Sequence, residues 1–359
     1  YLCNMVNRNI ILALAAVSLS AGASPRSVVS PLTTGILERA TVMSARTNAA
    51  GALDLTDRIL RSTLLTPSER DDTEYINALS LLQTGDTAEG YAALERFVAG
   101  HAASPLRWKA TLALAAADIA EGSYAMALRR YDTIPDNAFA GDDARELTLN
   151  RAYCRLLQGD ADAALPLFEA VGNEGSLGED ARFYRGYIAY IKGDNAKARR
   201  LLEGLSATRA PERYAGFYLM EMDFADRRFD RALAEAQRML ADTSTPTEFT
   251  AECNRVAGES LYNLNQEKKG LPYLWKYAAA VANPAPSAFY ILGVNELADG
   301  DSDAAIKLLQ RAVSADNAMA QSAYLLLGLA YLKRGDKDSA LKEVLRTVGA
   351  GNLARARLC

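Results

Sequence analysis

The chain has 359 residues, half of them hydrophobic and 23% charged, with a formal net charge of −4. This composition excludes an intrinsically disordered chain, which lacks the apolar residues needed for a core. The negative balance and the lack of a basic block also exclude nucleic acid as the expected partner, because phosphate binding needs clustered Lys and Arg. The many alanines and leucines favour helices.

The first 23 residues have the pattern of a secretory signal peptide. Arg8 precedes an apolar run at residues 10–19, and small residues precede a cleavage site near Ala23. The run is shorter than the roughly 20 residues that a membrane-spanning helix needs. We therefore predict an exported, periplasmic protein without an integral membrane span, with an uncleaved anchor as the alternative.

A Gly-Asp pair followed by a small residue, five positions after the glycine, recurs along the chain. The pairs begin at Gly85, Gly159, Gly193, Gly300 and Gly335, with a near match at Gly122. With three weaker units included, nine small residues follow each other at intervals of 34 to 38 residues. They are Ala52, Gly90, Ala127, Ala164, Ala198, Ala232, Gly270, Ala305 and Ala340. Another small residue lies twelve positions before eight of these nine.

Each unit reads as a pair of antiparallel helices. The glycine ends the first helix in the left-handed conformation, and the following Asp caps the second helix. The two small residues let the helices approach closely. Because one such pair cannot bury its apolar face alone, the pairs must stack. We therefore predict an all-α solenoid of about nine stacked helix pairs.

Two units near the end of the chain, at residues 289–305 and 324–340, resemble the tetratricopeptide repeat. The resemblance covers about residues 33–359, is good for residues 71–212 and is weak for residues 33–70 and 213–285. It implies a right-handed superhelix, and another helical-hairpin solenoid is the alternative. In the weaker units Met220 replaces a small residue, and Arg227 and Asn265 replace the turn glycine.

The repeat register divides the chain into four segments. Residues 1–23 are the signal peptide, 24–70 a linker and degenerate first repeat, and 71–348 tandem repeats. Residues 349–359 are expected to start a further helix near Asn352 that is truncated, which makes the chain a fragment of a longer protein. Together with the predicted export, the register resembles exported bacterial envelope repeat proteins that act as scaffolds and assembly factors.

The resemblance implies a concave groove lined by the first helix of each pair. At helical spacing, its inner face carries Tyr153, Phe183, Tyr187, Tyr190, Phe217, Glu221, Phe224, Arg255 and Tyr262. Such aromatic residues with few charges are typical of protein-binding surfaces. We expect a partner helix or peptide to bind here, mainly at Tyr187, Tyr190, Phe217 and Phe224. The alternative for each ring is packing between neighbouring first helices.

The sequence contains no pattern that predicts catalysis, a cofactor or a metal site. His101, the only histidine, is expected in a solvated loop, and Cys154 and Cys253 are expected to be buried thiols without a disulfide. We therefore predict a scaffold that is not an enzyme. The alternative is the helical, substrate-recruiting part of a larger envelope enzyme or assembly complex.

Overall fold

The structure, a computed structural model, describes residues 48–61, 65–85, 87–205, 214–243, 245, 247–313 and 320–356. The predicted signal peptide, the first helix of the first repeat and Cys359 lie outside the described residues. The chain divides into two compact units, an N-terminal unit, Tyr1–Arg213, and a C-terminal unit, Tyr214–Cys359. Within the described ranges, no helix combines the length and apolarity needed to cross a lipid bilayer.

The described part of the chain forms seventeen helices. The N-terminal unit contains α1 (Ala49–Leu60), α2 (Pro67–Thr84), α3 (Thr87–Gly100), α4 (Leu106–Ala120), α5 (Tyr124–Thr133), α6 (Gly141–Leu157), α7 (Ala161–Val171), α8 (Gly175–Ile191) and α9 (Asn195–Leu202). The C-terminal unit contains α10 (Ala215–Ala225), α11 (Phe229–Ala241), α12 (Thr247–Asn263), α13 (Glu267–Ala280), α14 (Pro286–Asp299), α15 (Ser302–Ala312), α16 (Ala320–Arg334) and α17 (Lys337–Ala356).

These helices form stacked antiparallel pairs, which confirms the predicted all-α solenoid. Helix α1 is the second helix of the first predicted repeat, and α2 to α17 form eight complete pairs. Inside each unit, a helix packs against its partner and against the next helix along the chain. The first helices α10, α12, α14 and α16 also contact each other in turn, so they form a continuous layer of the C-terminal unit.

The turn between paired helices has the predicted chemistry. Gly159 has a φ of 84°, and the Asp160 side chain accepts a hydrogen bond of 3.0 Å from the Ala163 backbone N–H. The same cap is formed by Asp194, Asp301 and Asp336. Asp86, the expected cap after Gly85, lies outside the described residues.

Two turns use a residue other than glycine in the left-handed conformation. Arg227 has a φ of 62° and Asn265 a φ of 55°, and no other non-glycine residue in the described ranges has a positive φ. These are the two described turns where the sequence lacks the expected glycine; a third such position, Thr47, lies outside the described residues. The repeat therefore imposes this backbone conformation even on an arginine, for which it is unfavourable.

The small residues are the places where the paired helices touch. A Cβ atom added to Gly270 would lie 2.7 Å from the backbone O of Gly258 in the partner helix. Ala198 is completely buried. In the degenerate unit, Met220 replaces the small residue and Ala236 replaces the large one, and both are completely buried. The sizes are thus exchanged between the helices, which preserves the packed volume.

The last helix differs from the expected boundary. Residues 349–356 continue α17, which runs without a break from Lys337 to Ala356, so no further helix starts near Asn352. The physical reason is that Gly349 and Gly351 only weaken a helix, whereas this stretch has no proline to end it.

The two described cysteines are buried, as predicted, and their thiols are free. Cys154 lies in α6 and Cys253 in α12. Burial raises the pKa of each thiol to about 12, so neither is a reactive thiolate at neutral pH.

Candidate partner-binding surface

The outward side of the first helices in the C-terminal unit forms a row of side chains, most of which are partly or largely exposed, while Phe217, Glu259 and Leu297 are buried. The row consists of three positions in each first helix, counted from the residue that the repeat places against the second helix. These reference residues are Met220, Gly258, Gly293 and Gly328, and the row contains the residues three before, one after and four after each of them. It contains Phe217, Glu221 and Phe224 on α10, Arg255, Glu259 and Tyr262 on α12, Tyr290, Val294 and Leu297 on α14, and Leu325, Leu329 and Leu332 on α16.

Three carboxylates converge on one guanidinium in the α10–α12 part of this row. Arg255 donates from Nε to Glu252 Oε1 at 2.6 Å and from Nη1 to Glu259 Oε2 at 2.9 Å. Its Nη2 lies 3.6 Å from Glu221 Oε1. The guanidinium carbon is also 5.0 Å from the centre of the Phe224 ring, a cation–π distance. We call Glu221, Glu252, Arg255 and Glu259 the Arg255 cluster.

The Arg255 cluster carries more negative than positive charge. Burial, followed by repulsion from Glu252, raises the pKa of Glu221 to about 7, although Arg255 acts in the opposite direction. Burial also raises the pKa of Glu259, against the effect of Arg255 and of a 2.6 Å hydrogen bond from the Ser287 hydroxyl. Glu221 Oε1 is buried and accepts no hydrogen bond from the described residues. One guanidinium is therefore insufficient to neutralise the three carboxylates.

The α14–α16 part of the row is apolar. Tyr262 and Tyr290 are half-buried and pack against the core between α13 and α16. Leu325 and Leu329, on α16, are 54% and 43% exposed. Exposed leucines next to half-buried aromatic rings are typical of protein-binding surfaces.

The structure divides the predicted groove residues into two groups. Tyr153, Phe183 and Phe217 are buried. Tyr153 packs on Tyr184 with ring centres 5.3 Å apart, and Phe217 packs on Phe249 at 4.3 Å. These three rings belong to the core, which was the alternative for each, and we remove them from the proposed surface.

The other predicted residues, Tyr187, Tyr190, Glu221, Phe224, Arg255 and Tyr262, remain partly exposed. Tyr187 and Tyr190 lie in the N-terminal unit, and the remaining four lie in the C-terminal unit. Glu252, Ser287, Leu325 and Leu329 were missed. Glu252 and Ser287 each lie six residues before the small residue of their helix, one turn earlier than the positions used for the prediction.

His101 is not the solvated loop residue that the sequence suggested. Its Nδ1 lies 2.7 Å from Asp71 Oδ1 and its Nε2 lies 2.8 Å from Glu74 Oε2. Its ring stacks on Phe97 with centres 4.5 Å apart. The histidine therefore joins the end of α3 to α2. No group of three or more His, Cys, Asp or Glu side chains in the described ranges is arranged to hold a metal ion.

The comparisons with known proteins agree with this fold. Residues 290–355 match the sequence profile described as "Tetratricopeptide repeat". None of the curated proteins matches the chain. The apo form of the quorum sensor NprR from B. thuringiensis has a similar structure with a TM-score of 0.54, at 9% identity, over 88% of this chain and 98% of its own. A tetratricopeptide repeat protein from Parabacteroides merdae has a TM-score of 0.46, at 13% identity, over 72% of this chain and 98% of its own.

The likeness to the quorum sensor NprR, at 9% identity, shows a shared fold and nothing more. The sequence match at residues 290–355 confirms the resemblance that the sequence shows for its last two repeat units. Residues 290–355 are thus similar to the tetratricopeptide repeat.

Proposed function

We propose that this chain is a non-catalytic scaffold that binds a helix or peptide of a partner protein on the first-helix row of the C-terminal unit. The observation that carries the proposal is the Arg255 cluster and its apolar continuation. A net negative site lies beside half-buried tyrosines and exposed leucines on one continuous layer of helices.

The Arg255 cluster favours a partner segment with a Lys or Arg side chain. A second cation near Glu221 would compensate the carboxylate charge that Arg255 leaves unbalanced. Because Glu221 Oε1 is already desolvated, such a contact adds attraction without removing that oxygen from water. A charged pair of this kind sets the orientation of the partner and raises its association rate more than its affinity.

The apolar half of the row supplies most of the expected affinity. Burying Leu325, Leu329, Tyr262 and Tyr290 removes apolar surface from water, at about 25 cal/mol per Å². Neighbouring first helices pack about 8–10 Å apart. A partner that reaches from the Arg255 cluster on α12 to the leucines on α16 crosses two such spacings, which a helix of about 12 residues can do.

A site-specific photocrosslinker tests the surface. Placed at Leu329 in cells that make the protein natively, it should give a discrete product with one partner. Trp275, on the second helix α13, is 45% exposed and provides a matched control position that lies outside the row. Equal products from both positions, or none from Leu329, would contradict the proposal. A product that contains a catalytic chain would favour the recruiting part of a larger enzyme.

We also propose that the protein is exported and acts in the periplasm of the cell envelope. The support is the pattern of residues 1–23 in the sequence. Mass spectrometry of the N-terminal peptide from the natively made protein should find a mature chain starting at Ser24. A retained Arg8-containing peptide would contradict it.

A further inference from the structure

Three second helices of the C-terminal unit, α11, α13 and α15, carry a cation at the same position of the repeat. Six residues after the small residue of each helix, the exposed side chains are Arg238, Lys276 and Arg311. The N-terminal unit has one cation at the equivalent positions, which are Arg96, Thr133, Ala170 and Gly204. Because the three cations lie a repeat apart, they form no basic block in the sequence, and only the stacking of the pairs brings them to one side of the unit.

Helix α13 contributes most to this cationic side of the C-terminal unit. The residues on its outward side recur at helical spacing and are all exposed. They are Lys268, Lys269, Pro272, Trp275, Lys276 and Ala279. None of the six is acidic, and Glu267, the one acid of α13, is partly buried at the start of the helix. We call these six residues the α13 outer face.

Several of the positive charges on this side are not compensated. Lys276 on α13 and Lys307 on α15 are exposed and have no ion-pair partner in the described part of the chain. Lys268 does face an acid, since its Nζ lies 3.5 Å from Asp299 Oδ1. The second helices thus carry a surplus of positive charge, whereas the Arg255 cluster on the first helices of the same unit carries a surplus of negative charge.

Contacts with neighbouring helices hold this cationic side in place. Gln237 Nε2, on α11, donates a hydrogen bond of 3.3 Å to the Tyr273 hydroxyl on α13. The guanidinium carbon of Arg311, on α15, lies 3.7 Å from the centre of the buried Phe289 ring. The cations therefore belong to the packed helices of the unit, which fix the spacing between them.

Trp275 is the apolar part of the α13 outer face. Its side chain is 45% exposed, whereas Leu274 and Tyr277 of the same helix are buried in the core. An exposed indole forgoes the hydrophobic stabilisation that burial would give, so the core does not account for this residue. An indole ring between lysine side chains is typical of helices that lie on a membrane surface. There the ring enters the headgroup region, and the lysine stems extend towards the phosphates.

We propose that the α13 outer face, together with Lys307 and Arg311, binds the surface of an anionic lipid bilayer. The charges are complementary, and the Trp275 ring enters the headgroup region. A protein segment is a poorer occupant, because helices and peptides bind in grooves or at sheet edges, and the outside of a single helix provides neither. A bilayer surface contacts an exposed helix without a groove.

This surface belongs to the second helices and does not include the first-helix row. Either proposal can therefore fail without the other. Contact with lipid also adds no protein product to the photocrosslinker at Trp275, which remains a control for the first-helix row.

Vesicle binding by the full chain tests the proposal. In a Trp108→Phe background, vesicles of phosphatidylcholine and phosphatidylglycerol in equal parts should shift the emission of Trp275 to shorter wavelength. The chain should also sediment with these vesicles. Vesicles of phosphatidylcholine alone should give neither result. Binding should be lost in about 1 M salt, where the screening length falls to roughly 3 Å.

A charge reversal in the same background identifies the surface. Lys276→Glu should weaken binding to the mixed vesicles by at least about fivefold, the contribution of one cation near an anionic surface. Arg96→Glu makes the same charge change at the equivalent position of α3 and should leave binding unchanged. Circular dichroism checks that both variants are folded.

Equal weakening by the two variants, or no binding to the mixed vesicles, would overturn the proposal. So would equal binding to vesicles of phosphatidylcholine alone. Soluble polyglutamate provides the last test, since it carries negative charge without a lipid surface. If it shifts the Trp275 emission as the mixed vesicles do, an acidic protein segment is the occupant and the lipid proposal is wrong.

Discussion

Arg151 in the N-terminal unit and Arg255 in the C-terminal unit, both partly buried, differ in their main hydrogen-bond partners. In the N-terminal unit, Arg151 donates to the backbone carbonyls of Tyr131 and Ile134 at 2.8 and 2.7 Å, at the end of α5. Arg182 donates in the same way to Leu201 O at 2.7 Å, at the end of α9. In the C-terminal unit, Arg255 instead contacts three glutamate side chains.

The difference separates a structural arginine from one at a charged surface. Carbonyls at a helix C-terminus lack partners inside the helix and are neutral, so a guanidinium satisfies them with no carboxylate left to neutralise. Carboxylates bring full negative charges, and three of them exceed what one guanidinium can neutralise. The contacts of Arg151 hold the repeats together, whereas those of Arg255 leave a site that a cation can complete.

Each unit contains one tryptophan, Trp108 in the N-terminal unit and Trp275 in the C-terminal unit. In a Trp108→Phe background, tryptophan fluorescence reports the unfolding of the C-terminal unit. In a Trp275→Phe background, it reports the N-terminal unit. Urea unfolding at two pH values can therefore test the comparison unit by unit.

The largest expected effect is that of Arg255→Met. At pH 8 it should lower the free energy of unfolding of the C-terminal unit by about 3–5 kcal/mol, because three carboxylates remain without their cation. At pH 5 the loss should be smaller, since protonation of Glu221 and Glu259, whose pKa values are raised, removes part of the repulsion. An equal loss of stability at pH 5 and pH 8 would contradict the conclusion that Arg255, unlike Arg151, acts by neutralising carboxylates.

Glu221→Gln should act in the opposite direction. The pKa of Glu221 is about 7 in the folded chain against an ordinary value of 4.5, so the folded chain retains a proton between these values that the unfolded chain has lost. Stability therefore falls as the pH rises through this window. Removing the carboxylate should raise the free energy of unfolding by about 3 kcal/mol at pH 8 and leave it unchanged at pH 4. No gain at pH 8 would show that Arg255 already balances the cluster.

Arg151→Met should destabilise the N-terminal unit without a pH dependence. The two carbonyls lose a charged donor, which costs about 2 kcal/mol. Carbonyls do not titrate, so the loss should be the same at pH 5 and pH 8. Asp136→Asn is the control: a loss as large as that of Arg151→Met would mean that Arg151 acts mainly through its ion pair with Asp136, at 2.8 Å, and not through the carbonyls.

The smallest expected effect concerns the turns. The paired helices of the N-terminal unit are joined through Gly85, Gly122, Gly159 and Gly193, all with positive φ, whereas the C-terminal unit uses Arg227 and Asn265 at two turns. Arg227→Gly should raise the free energy of unfolding by about 0.5–1 kcal/mol, because relief of the left-handed strain exceeds the entropic cost of glycine. Asn265→Gly should gain less, since asparagine tolerates this conformation. A larger gain at Asn265 would contradict this reason.

Most of the fold could be predicted from the sequence because its turns demand particular residues. A left-handed C-terminus and a side-chain cap restrict the choice to Gly and Asp, and the same spacing located the exceptions at Arg227 and Asn265. The expectation of a new helix near Asn352 was wrong because a glycine can end a helix, as at the turns between paired helices, or can be tolerated inside one, as Gly349 and Gly351 are in α17.

The site was less predictable because helical spacing fixes the face of a side chain and not its depth. Phe217 and Phe224 share a face of α10, yet Phe249 from α12 covers only the first of them. Whether a neighbouring helix covers a ring depends on the size of its side chains and on the tilt between helices, which one sequence does not give. The Arg255 cluster joins side chains from two helices, α10 and α12. One of them, Glu252, lies a turn before the positions assumed for the groove, so no local pattern in the sequence predicted the cluster.

The buried cysteine in each unit can be used to measure how often the helices around it separate. Cys154 in α6 and Cys253 in α12 are inaccessible and protonated in the closed helix stack, so alkylation requires transient separation of the surrounding helices. The rate of modification at each cysteine, followed by mass spectrometry under native conditions, would give the breathing equilibrium of its unit without denaturant. The chain thus contains two natural sensors of its local motion, one on either side of the boundary between the units.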